Sequence, residues 1–163
     1  MTFTDPIVAR IVPFLEQIGI PVAVEPLADG TLLPGATVRH GKLVFDPEHL
    51  PWPGDLLHEA GHIAVTPPEL RESQAEIVDN PVEEMAAMAW SYAAALAIDI
   101  DPAIVFHDGG YKGGGQRFLS SYQDGPTGGI GVPILQTYGM TAEPMLADRL
   151  GLAPFPAMAR WLR

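Results

Sequence analysis

Residues 56–65 read LLHEAGHIAV, and the fold and function of the chain turn on that stretch. His58 and His62 stand four apart, so on a helix they share one face, one turn from each other. Two imidazole nitrogens can then reach a single tetrahedral ion. Glu59 is offset by one residue and flanks such an ion instead of binding it. A carboxylate there can take a proton from an activated water, the general-base role in metal-assisted hydrolysis. Ala60 and Gly61 leave room for a neighbouring backbone or a substrate. The rival reading makes His58 and His62 hydrogen-bonded core residues of a buried helix. A glutamate within the pair and a clear helix start ahead of it favour the metal.

The chain around this stretch has the size of one domain, 163 residues with an apolar fraction of 47% and a charged fraction of 18%, as suits a globular protein. There is no cysteine, so any metal must be held by His, Asp or Glu. The net charge of −11 and scattered basic residues argue against nucleic acid and anionic membrane surfaces as partners. The most apolar run, Met85 to Ile98, is too short to span a bilayer and reads as a buried helix. MTFTDPIVAR carries no basic, cleavable leader, which predicts a cytoplasmic location.

Asp5 and Pro6 predict a helix through about Ile18, closed by Gly19 and kinked or broken at Pro13. PVAVEPL (21–27) and TLLPGATVRHGKLVFD predict three strands, the last two joined by a tight turn at His40-Gly41. Asp55, after the proline-rich PEHLPWPGD, is placed as the N-cap of a helix to about Val65. Pro67 and Pro68 end it, and Asn80-Pro81 opens the next, through VEEMAAMAWSYAAALAI to about residue 98. The glycine-rich segments HDGGYKGGGQ and QDGPTGGIGVP read as loops, either a flap over a cleft or disordered. Short helices are expected at 142–150 and 156–162. The order predicts an α+β fold, a single domain over 1–163, with a small antiparallel sheet and residues 103–163 packed on or over the cleft.

A catalytic site needs a third protein ligand and an open fourth position. A metzincin would place glycine three residues after His62 and histidine three further on, but Val65 and Pro68 stand there. A gluzincin takes a glutamate from a following helix, and Glu83 and Glu84 lie 21 and 22 residues after His62. Both open an otherwise apolar helix; periodicity does not separate them, and the helix dipole gives either a reason to be there. Glu69, Glu72 and Glu76 lie in polar sequence and read as solvated.

HEAGH after a helix and small sheet, followed by EEMAAMAW on the next helix, resembles the minimal gluzincin metallopeptidases of the ImmA/IrrE type. The resemblance covers about residues 7 to 98. The family's third ligand opens an E-A-N-x-F-A stretch, which falls on Glu84 here, with Met85 and Ala86 in place of Ala and Asn. It implies a zincin-like fold, Zn²⁺ bound by His58, His62 and Glu84, with Glu83 as the alternative because the match departs at Met85 and Ala86, Glu59 as catalytic base, and a protein or peptide substrate. The alternative is a zincin-derived domain whose metal serves structure or partner binding without turnover.

An oxyanion donor would assist the hydrolysis, and FHDGGY (106–111) offers His107 and Tyr111. The plainer readings are an exposed loop histidine and a packing tyrosine; His107 is also a substitute third ligand. Gly113-Gly114-Gly115 lacks the GK[ST] and the strand–loop–helix context of a phosphate loop. His40 and His49 read as solvated. LVFD (43–46), by analogy with zincins, is the strand that would pair with extended substrate.

Overall fold

A computed structural model describes residues 3–27, 33–73, 80–123 and 128–163. Among them are seven α-helices and a three-stranded sheet: α1 (Val8–Gln17), β1 (Val22–Val24), β2 (Ala36–Arg39), β3 (Lys42–Phe45), α2 (Asp55–Val65), α3 (Pro68–Arg71), α4 (Pro81–Ala97), α5 (Gly115–Gln123), α6 (Val132–Thr137) and α7 (Pro144–Leu150). Single 3₁₀ turns occupy Pro102–Ile104 and Tyr111–Gly113. No described helix is long and apolar enough to cross a membrane.

The chain is α+β, but the sheet is mixed and not antiparallel. The strand order is β1-β3-β2, with β1 parallel and β2 antiparallel to β3. Burial explains the order. Leu43, Val44 and Phe45 of β3 are all buried, so that strand needs cover on both faces and takes the centre, while half-buried β1 and Arg39-tipped β2 become edges. The β2–β3 hairpin turns at His40 and Gly41, both at positive φ, which matches the twist of the strands. As β3 is hydrogen-bonded on both sides, LVFD has no edge to offer a substrate; extended chains would have to add to β1 or β2.

Helix α1 runs through Pro13 without interruption. Pro13 and Ala9, whose carbonyl loses its partner, both lie on the exposed face, where water can replace the missing donor. The next helix, α2, is buried along its whole length. It starts with Gly54 as N-cap, not Asp55, and position 54 admits only glycine, since a Cβ there would collide with the Ile104 carbonyl. Asp55 is thereby the first helical residue and points into the protein.

The last four carbonyls of a helix need partners from outside it, and at the buried end of α2 each has one. The His62 carbonyl accepts from the Thr66 amide and hydroxyl, and that of Ile63 from Arg71 Nε at 3.0 Å. Ala64 receives the Arg163 amide and Arg71 Nη2, and Val65 the Arg163 guanidinium. Two cations at the negative end of the dipole add to the hydrogen bonds.

Helix α4 is capped as its sequence predicts: Asn80 Oδ1 accepts from the amides of Val82 and Glu83. Its alanine-rich body is buried, and Trp90, fully buried, donates from Nε1 to the Trp161 carbonyl at 2.9 Å.

The C-terminal third departs most from expectation. Within the glycine-rich sequence, residues 115–123 form α5, whose Leu119 and Tyr122 are buried, and α6 follows at 132–137. No helix forms at 156–162. The amides of Ala159 and Arg160 bond to the Met140 carbonyl and that of Arg163 to Ala64, so tertiary partners take the donors a helix would need. His40 and His49 are exposed yet engaged, with the Glu72 carbonyl and the Asp46 carboxylate respectively.

Arg71→Ala should strip donors from Ile63 and Ala64 and lower stability by about 1–3 kcal/mol. Urea denaturation would read this as a lower midpoint at unchanged slope.

Candidate metal centre

The centre forms where α2 crosses α4. Gly61 faces Ala87 there, and a Cβ on Gly61 would lie 2.8 Å from the Ala87 carbonyl oxygen and 3.1 Å from its Cα. Only glycine permits so close a crossing. Ala87 stands one turn beyond Glu84, so the crossing carries the Glu84 carboxylate to the two histidines of α2.

His58, His62 and Glu84 each bring a ligand atom within 4.8 Å of the others, and the three could hold a metal ion. The two Nε2 atoms are 3.3 Å apart. Glu84 Oε1 lies 3.5 Å from His58 Nε2, and Oε2 lies 3.1 Å from His62 Nε2. A tetrahedral ion with bonds of about 2.0–2.1 Å needs ligand atoms about 3.3–3.4 Å apart. The donors therefore stand near the edges of such a tetrahedron, and their chemistry, two imidazoles and a carboxylate, suits a divalent ion.

Electrostatics favour a neutral His58 and a charged Glu84. Burial, with His62 alongside, lowers the His58 pKa to about 4 against the opposing pull of Glu84 and leaves the imidazole neutral. For Glu84, burial raises the pKa, but the hydrogen bond from His62 and the neighbouring imidazoles outweigh it and hold the group below the ordinary carboxylate range. Glu83 sits half-buried one residue away and is not in the cluster.

Glu59 is buried beside His58. Burial first, then the Asp55 and Glu84 carboxylates, push its pKa up to about 8. A divalent cation in the adjacent site would favour its charged form.

Of the two loop residues, His107 does not join the ligands. Its Nε2 donates to Asp55 Oδ1 at 2.9 Å, and Trp52 stacks on its ring with centroids 4.5 Å apart. The side chain is 10% exposed, so the exposed-loop reading of His107 fails. Burial raises the Asp55 pKa, and His107 opposes the rise. Tyr111 reaches the centre from behind, with its hydroxyl 3.0 Å from His58 Nδ1. Burial holds the Tyr111 phenol well above its usual range, so it stays protonated. Glu69 and Glu72 are exposed, and Glu76 lies outside the described residues.

Sequence reasoning missed Asp55 as a buried partner. The available signal was its spacing: on a helix Asp55 falls three residues before His58 and four before Glu59, on the face that carries the motif. Tyr111 against His58 had no such signal, because the contact joins residues 53 apart across a glycine-rich loop.

No protein-family model matches the chain, and neither a curated protein nor a solved structure is similar enough to count as a match.

Gly61→Ala should force α2 and α4 apart. The expected loss is about 1–3 kcal/mol of stability from overpacking, set against a gain of about 1 kcal/mol in helix propensity. Displacing Glu84 from the histidines should also weaken metal binding, measurable by titration against a chromophoric chelator. Unchanged binding would show that the crossing does not position the carboxylate.

Proposed function

We propose that the chain is a zinc-dependent hydrolase of zincin-like architecture, most simply a peptidase, as its resemblance to the ImmA/IrrE metallopeptidases implies. One observation carries the reading. A carboxylate from a separate helix, 22 residues downstream, meets the HExxH histidines at ligand spacing, with the motif glutamate buried alongside.

His58, His62 and Glu84 would hold the ion. Bound zinc supplies a Lewis acid for a substrate carbonyl and makes water more acidic. Glu59, which ligates nothing, accepts the proton of the attacking water and passes it to the leaving amine. The Asp55–His107 pair packs one turn before Glu59 and keeps that end of the helix buried. The substrate is a protein or peptide.

A metal site that serves structure or partner binding alone is the second reading, favoured by the burial of both histidines in the α2–α4 seam. Glu59 weighs against it, because a structural site has no use for a carboxylate beside its ligands.

Elemental analysis should find about one zinc per chain, lost in His58→Ala and Glu84→Ala but kept in Glu83→Gln. Glu59→Gln should keep the metal and lower hydrolysis of labelled casein by about 10²–10⁴-fold. A stable protein that binds no zinc would overturn the assignment. Unfolding on chelation, without hydrolysis in the loaded protein, would favour the structural reading.

A further inference from the structure

We infer that Tyr111 is a positioning residue for the metal ligand His58, and that through it metal binding and docking of the loop at 107–115 reinforce each other. The inference rests on the metal-site reading above.

An imidazole that gives its Nε2 lone pair to an ion must carry its proton on Nδ1, where a buried N–H needs an acceptor. For His58 the acceptor is in place: the Tyr111 oxygen, 3.0 Å from Nδ1. The rings meet edge to face at 5.6 Å, which fixes the imidazole plane as well as its tautomer. A hydroxyl both donates and accepts, so it can donate to a bare Nδ1 before the ion arrives and accept from the N–H afterwards. His62 is different: its Nδ1 is buried without a partner among the described residues. The two Nδ1 atoms are thus supported unequally, and the partner of His58 Nδ1 comes from the loop.

The loop is built to hold that oxygen in place. Tyr111 has a φ of +51°, a region bulky side chains rarely occupy. Its ring stacks on Phe106 at 5.5 Å and leans on Phe118 at 5.4 Å, contacts that hold the unfavourable backbone in place. Glycines fasten both ends. A Cβ on Gly109 would strike the Trp52 indole at 2.8 Å, and one on Gly115 would overlap the Phe106 carbonyl. Gly109 and Gly115 therefore serve close approach at the two ends of a segment that holds a strained tyrosine. Because the His58–Tyr111 bond joins ion site and loop, whatever favours one favours the other by the same factor.

The test compares Tyr111→Phe, which removes only the oxygen, with Tyr122→Phe. The latter removes another buried hydroxyl, donated to the Ile130 carbonyl and outside the site. Zinc affinity is read by chelator competition, with the melting temperature of each metal-free protein as a control for folding. Tyr111→Phe should bind zinc about 10–100-fold more weakly, and Tyr122→Phe within about twofold of wild type. In wild type, zinc should slow hydrogen exchange of the backbone amides at 109–114, and in Tyr111→Phe it should not. Equal zinc affinity in Tyr111→Phe and wild type would overturn the inference and leave the metal site standing. A wild-type protein without zinc affinity would remove the site and the inference together.

Discussion

Everything at the centre depends on how closely α2 and α4 cross. A side chain as small as alanine at position 61 would meet backbone of α4 at 2.8 Å. With glycine there, Ala87 seats against the helix and Glu84, one turn earlier, comes up beside the two imidazoles. Burial follows from the same contact, because α2 has α4 on one side and the sheet on another and so has no solvated face. Such a helix can hold polar groups only if they are partnered. That condition governs the chemistry of His58, Glu59 and His62.

The condition is met unevenly. Among the described residues, the buried side-chain polar atoms without a partner are Asp55 Oδ2, His62 Nδ1 and His107 Nδ1. All three belong to the centre or to the pair packed beside it, while the far end of α2 has every terminal carbonyl satisfied. Unsatisfied groups are expensive in a core and persist where they serve something other than stability. The scaffold is thus well satisfied around a locally unsatisfied site.

Much of this was legible in sequence because local rules act within one element. The i, i+4 histidines, the Asn80 cap and the His40-Gly41 turn each depend on neighbours a few residues away, and each formed as read. What was not legible depends on distant partners. The sheet order follows from how much of β3 must be covered, which no strand pattern shows by itself. Asp55 had the chemistry of an N-cap, but the helix begins one residue earlier, at Gly54, whose backbone packs closely on Ile104. The expected terminal helix lost its backbone donors to Met140 and Ala64. In α5, a short amphipathic pattern in Phe118, Leu119 and Tyr122 was hidden by flanking glycines that suggest loop. The choice between Glu83 and Glu84 was likewise one of helix phase relative to a second helix.

The three residues of the candidate centre also differ in their access to water. The Glu84 side chain is 42% exposed, against 11% for His58 and 5% for His62. An ion entering from solvent would therefore meet a Glu84 carboxylate oxygen before either imidazole. The chain as a whole carries a net charge of −11, which favours the approach of cations over anions. Capture of an ion at Glu84 would then be slowed as salt screens the attraction between the ion and that carboxylate.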